Sequence, residues 1–132
     1  MASVLVVDDE PEVGEAIRRV LERAGFTVGL AASAAEGLRI MAAAQPDILV
    51  TDMIMPKTNG LELIKAVRSQ YPRVRVIAIS GGGSIGPLSY KPDAIKTHAY
   101  LAAAREAGAK EILTKPFDMS DLVAAVRRLL PN

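Results

Sequence analysis

Five side chains in this sequence have types suited to one kind of chemistry. They are Asp8, Asp9, Asp52, Ser80 and Lys115, and each stands at the end of a candidate strand. Carboxylates drawn close together repel one another and stay ionised at neutral pH only beside a cation. Hard oxygen donors suit Mg²⁺, with Mn²⁺ as the alternative ion. Asp52 and one of Asp8 and Asp9 are the expected direct ligands, with the backbone carbonyl of Ile54 as a third. Lys115 brings a point positive charge and Ser80 a hydroxyl donor, both suited to phosphoryl oxygens. A carboxylate can itself attack phosphorus and form an acyl phosphate. A metal and a lysine would then stabilise the charge on the transferring group.

The elements that must position these groups alternate between strand and helix. Val4 to Val7 is an apolar run that stops at Asp8-Asp9-Glu10. Pro11 suits the first turn of a helix whose apolar face is Val13, Ile17, Val20 and Leu21, with Gly25 closing it. Phe26 to Ala31 is a weaker strand. Ser33, with Glu36 three residues on, forms a capping box for an Ala-rich helix running to Ala44. Ile48 to Val50 is the run that ends on Asp52, as a strand buried on both faces should. Met55 to Gly60 is turn chemistry. A helix from Leu61 to about Tyr71 and a strand from Val74 to Ile79, ending on Ser80, come next. Gly81 to Pro92 is too rich in Gly and Pro for an element interior and reads as a long loop. A helix beginning at Asp93 or Thr97 ends at Gly108. Glu111 to Thr114 is the fifth strand, and Asp118 or Ser120 caps a last helix with Leu122, Val123, Val126, Leu129 and Leu130 inward. Five strand–helix repeats mean a parallel α/β sheet covered on both faces. Ligands gather at the carboxyl edge of such sheets, where the five reactive residues fall.

Bulk properties narrow the function classes. A chain of 132 residues, half of them apolar, is one domain with its own core. The absence of cysteine excludes disulfides and thiolate metal sites. A net charge of +1 offers no field for nucleic acid or an anionic membrane. With no Trp, two Phe and three Tyr, an aromatic platform for stacking bases is not expected. No apolar run is long enough to span a bilayer, and the N-terminus lacks the basic segment of a signal peptide, so a cytoplasmic location is expected.

Asp8-Asp9-Glu10, Asp52 with Met55-Pro56 and Gly60, Ser80, and Lys115-Pro116-Phe117, in that order, resemble the receiver domain of two-component response regulators. The resemblance covers essentially the whole chain. It implies a flavodoxin-like, doubly wound five-stranded sheet of order 2-1-3-4-5 with five helices. It implies that Asp52 accepts phosphate from a histidine kinase or a histidine phosphotransfer protein, that Asp8 and Asp9 bind Mg²⁺, that Lys115 pairs with the phosphoryl group, and that Ser80 is a switch hydroxyl. Residues 1–132 would then be a stand-alone receiver with no output domain, a monomer or a weak phosphorylation-dependent dimer, acting on a downstream protein.

Three features depart from the family pattern. Ile112 stands three residues before the lysine, where the family usually has Tyr or Phe. The stretch from Ser80 to Lys115 is longer than usual by about a dozen residues, with the excess in a connection that is normally short. No output domain is expected to follow. The switch would run through Gly81 and Gly82, as a hinge beside Ser80, to Tyr100 and Ile112. Two other readings compete with the switch. A phosphate-independent adaptor would use only the fold; the intact acids, hydroxyl and lysine argue against it, while Ile112 and the long loop keep it in contention. A Mg²⁺-dependent phosphatase with an Asp nucleophile would use the same ingredients. The adjacent acids Asp8-Asp9 and the lack of a cap domain argue against the phosphatase. A flavin carrier would want a phosphate-cradling loop after the first strand, where acids stand instead.

Overall fold

In the computed structural model, the residues described are 2–53, 60–80, 102–114 and 117–130. Five parallel strands, β1 (Ser3–Val7), β2 (Thr27–Ala31), β3 (Ile48–Asp52), β4 (Arg75–Ser80) and β5 (Ala109–Thr114), form one sheet of order β2-β1-β3-β4-β5. The helices are α1 (Pro11–Arg23), α2 (Ala34–Ala43), α3 (Gly60–Gln70), a helical segment at residues 102–107 (α4) and α5 (Met119–Leu129). This is the flavodoxin-like α/β architecture the sequence implies.

Alternation along the strands divides the core in two, because successive side chains point to opposite faces. Leu5, Val7, Leu49, Val76 and Ala78 pack with Met41 of α2, Leu63, Ile64 and Val67 of α3, and Ala104 of α4. Val4, Val6, Ile48, Val50, Ile77 and Ile79 pack with Ile17 and Leu21 of α1 and Leu122, Ala125 and Val126 of α5. Every residue of β3 is buried, as expected of the central strand. Burial of each large aliphatic side chain contributes about 1.5–3 kcal/mol, which is why these layers hold without metal or disulfide.

The element edges show where local signals yield to packing. Pro11 begins α1, and Gly25 adopts φ +103° just past its end, the left-handed conformation glycine tolerates. The Ser33 hydroxyl accepts from the Glu36 backbone N–H at 3.1 Å, but the Glu36 carboxylate accepts from Ala32 N rather than Ser33 N. Asp118, not Ser120, is the N-cap of α5, and Leu130 lies past its end. Helix α3 starts at Gly60, one residue before the sequence places it. Strand β4 begins at Arg75 rather than Val74, and β5 begins at Ala109, directly after Gly108, rather than at Glu111. The longer β5 follows from a bulge: Val76 pairs with Ala109 but Ile77 pairs with Glu111, leaving Lys110 as the extra residue.

Candidate functional site

The carboxyl edge of β1, β3 and β4 builds the site. Val7 is in register with Thr51, so Asp8 and Asp52 follow side by side at the sheet edge. Asp52 in turn pairs with Ile79, and the Met53 N–H donates to the Ile79 carbonyl at 2.9 Å. Each of Asp8, Asp9 and Asp52 brings one carboxylate oxygen within 4.8 Å of the others. Asp8 and Asp52 are only 5% and 6% exposed, so this charge is held away from bulk water.

Backbone contacts fix the acids. The Asp8 N–H donates to the Ala31 carbonyl at 3.0 Å, and the Asp8 carboxylate accepts from the Glu10 N–H at 2.8 Å. The second bond closes a tight turn that carries the chain into α1 and aims one Asp8 oxygen at the backbone. Beside Asp52, the buried Thr51 hydroxyl donates to the Asp52 carbonyl at 3.0 Å. Thr51 is a contributor that the sequence reading passes over. Its signal is a lone hydroxyl residue inside an otherwise aliphatic strand.

Gly60 has a sharper role than a turn residue. Its N–H donates to the Met53 carbonyl at 3.1 Å. A Cβ at position 60 would collide with the Asp52 carbonyl oxygen and lie 2.7 Å from the Met53 Cα. The first turn of α3 therefore rests directly on the backbone that carries Asp52, and only glycine allows that approach.

The structure brings Asp8, Asp9 and Asp52 together as the sequence expects. Ser80 ends β4 in register with Thr114, the residue before Lys115. Lys115, Ile54, Gly81, Gly82 and Tyr100 lie outside the described residues, as do the Met55-Pro56 turn and the whole Gly81–Pro92 loop. Ile112 lies on β5, half buried against the core layer of α2, α3 and α4.

Among the described residues the cluster offers three carboxylates and no nitrogen or sulfur donor, which suits a hard divalent cation such as Mg²⁺ that takes oxygen ligands and retains waters. Among the described residues, no helix is long and apolar enough to cross a membrane.

Known proteins share this arrangement. The family model described as the response regulator receiver domain matches residues 4–127. The response regulator MprA of Mycobacterium ulcerans is 35% identical over 127 residues, covering 96% of this chain and 49% of that protein. MprA of Mycobacterium leprae is 33% identical over the same length. The chain thus spans about half the length of the curated relatives it matches. Among solved structures, a response regulator receiver domain protein from Clostridium thermocellum is 33% identical, with a TM-score of 0.78 over 98% of this chain and 94% of that one. The response regulator TrrA from Thermotoga maritima, solved in complex with Mg(2+)-BeF, is 26% identical, with a TM-score of 0.79 over 98% of this chain and all of that one. With the sheet order, the acid cluster and these likenesses in agreement, the chain belongs to the receiver domain family of two-component response regulators.

Proposed function

We propose that this domain is a phosphorylation-controlled switch in which Asp52 takes a phosphoryl group from the phosphohistidine of a histidine kinase or a phosphotransfer protein. The observation that carries this reading is the juxtaposition of Asp52 with Asp8 and Asp9 at one strand edge. An Asp52 carboxylate oxygen forms the new bond to phosphorus while the bond from phosphorus to the donor nitrogen breaks. The electron pair stays on that nitrogen, which takes up a proton. Asp8, Asp9 and Asp52, with the Ile54 carbonyl, would hold the divalent ion. When bound, Mg²⁺ neutralises the clustered carboxylates and the charge on the phosphoryl oxygens.

Thr114 is abreast of Ser80, and Lys115 is the next residue in sequence. In this reading Lys115 pairs with the phosphoryl group and Ser80 turns toward it. The change then passes through Gly81 and Gly82 to the segment ending at Tyr100, and to the face of α4, β5 and α5 around Ile112. A phosphoryl group adds charge and strong acceptors, enough to bias two arrangements separated by a few kcal/mol. The downstream protein would read that face. Such a domain catalyses its own modification but does not turn over an external substrate.

Two measurements test this. Intact mass after incubation with Mg²⁺ and a small acyl-phosphate donor should show one acid-labile phosphate, absent in Asp52→Asn. Incorporation that persists in Asp52→Asn would move the acceptor elsewhere. Amide NMR with a beryllium fluoride mimic should then shift Asp52, Ser80 and the Gly81–Tyr100 segment together. Shifts confined to the acids would mean an intact site uncoupled from the signalling face, in line with the aliphatic Ile112, and no shifts at all would favour the adaptor reading.

A further inference from the structure

A second concave site lies at the opposite edge of the sheet, between the C-terminal ends of α3 and α4 and the starts of β4 and β5. Its volume is about 310 Å³. That is the low end of the range for small-molecule pockets, roughly 300–1,000 Å³. Pro72, Val74, Val76 and Ala109 give it an apolar floor, and Arg68, Arg105 and Lys110 supply its charge. Among the described residues, no acidic side chain lines it, although Glu106 is next in sequence to Arg105.

Three local features build this cavity. Arg68 donates to the Glu106 carbonyl at 2.8 Å, which ties α3 to the end of α4 and fixes that guanidinium at the rim. Gly108, at φ +131°, lets the Arg68 stem pass: a Cβ there would lie 3.0 Å from the Arg68 Cδ. The bulge in β5 leaves Lys110 as the unpaired extra residue beside the opening. Bulges commonly re-aim a side chain next to a binding site. Arg105 and Lys110 form no ion pair among the described residues.

We propose that this cavity binds a small organic anion carrying two or more phosphate charges, of the nucleoside diphosphate class. Three cations around so small a volume call for several negative charges close together. Guanidinium forks match phosphate oxygens in pairs, and a lysine adds a point charge. Pro72, with the edges of Val74, Val76 and Ala109, gives the organic part of the ligand a small apolar contact. The three cations ring a short, half-open pocket rather than a long track, and the chain carries a net charge of only +1. A nucleic-acid backbone, which needs a charged stripe, therefore fits it less well.

The test is titration of the full chain, without divalent ions, by pyrophosphate and by ADP, followed by calorimetry and amide NMR. Saturable binding of ADP, with shifts at Arg105, Gly108, Ala109 and Lys110, is the expected result. ADP binding more tightly than pyrophosphate would show that the apolar floor is used; equal affinities would assign the site to the phosphates alone. Arg105→Ala and Lys110→Ala should each weaken binding about tenfold or more, the worth of one charge-assisted hydrogen bond. Arg105→Lys should recover part of the loss. Asp52→Asn should bind ADP as the parent does, which separates this site from the acid cluster. No saturable binding of either probe, affinity unmoved in Arg105→Ala and Lys110→Ala with the fold intact, or binding only to duplex DNA or an acidic peptide would overturn the proposal.

Discussion

The two edges of the sheet handle charge in opposite ways. At the carboxyl edge, Asp8 and Asp52 are buried beside half-exposed Asp9, and the backbone around them is committed to holding them. At the amino edge, Arg68, Arg105 and Lys110 are exposed around an apolar floor. Strand β4 runs from one to the other, about 13 Å between Val76 and Ser80 at the usual rise per residue. A buried like-charged cluster is costly and must be fixed by neighbours such as Glu10 and Gly60, so its positions are coupled to folding. Exposed cations need only a shaped wall behind them, so Arg105 and Lys110, which make no ion pair among the described residues, can be exchanged with little effect on stability.

Substitutions can break this contrast or sharpen it. The largest effect belongs to Asp52→Asn, which should remove phosphate incorporation outright by intact mass. Next comes Asp9→Asn, which should weaken Mg²⁺ binding more than about tenfold by calorimetry, through loss of one anionic ligand. The same change should raise the melting temperature of the metal-free protein by about 2–4 °C, because it relieves repulsion among the acids. A fall in that temperature would mean that Asp9 stabilises the apo fold and would undo the contrast.

Gly60→Ala should cost about 1–3 kcal/mol in urea unfolding, the usual range for overpacking, and should slow phosphorylation by displacing the backbone of Asp52. Lys110→Ala should leave both phosphorylation and stability within about 0.5 kcal/mol of the parent, as a surface change should. A larger loss would show that the amino edge is as tightly coupled to folding as the other.

The smallest effect is a pH control on α1, away from both edges. Arg18 is hydrogen-bonded to Glu15 and holds its carboxyl below the usual carboxylate range. A depressed folded-state pKa contributes stability above the unfolded value, about 4.3, and loses it as pH falls through the folded one. Glu15→Gln should therefore be slightly less stable than the parent at pH 7, with the gap closing as the pH falls through the lowered folded-state value. Because the pair is exposed, the gap should be small.

Much of this organisation was legible in the chain. Ile48 to Asp52 announced a central strand with an acid at its end, since a short apolar run bounded by Pro46 and Asp52 has few other uses. Asp8, Asp9 and Asp52 could be grouped because alternating strands and helices put strand ends on one edge. The Lys110 bulge was not legible: register depends on partners distant in sequence, and Glu111 is as acceptable a strand start as Ala109 on propensity. The same holds for Gly60, whose glycine looked like turn chemistry until the Asp52 carbonyl was found against it. The basic cavity was invisible because Arg68 lies far in sequence from Arg105 and Lys110, and the three follow no local pattern.

The position of β3 has a consequence for how a signal could leave the site. A strand flanked on both sides and buried throughout belongs to the region of a protein that opens last. Amide hydrogens of Leu49, Val50 and Thr51 should exchange with solvent only through global unfolding. The acceptor would thus stand on the stiffest ground in the molecule, a fixed post whose modification is felt by looser neighbours. Deuterium uptake mapped before and after phosphorylation should leave β3 unchanged and report the response in segments that already open on their own.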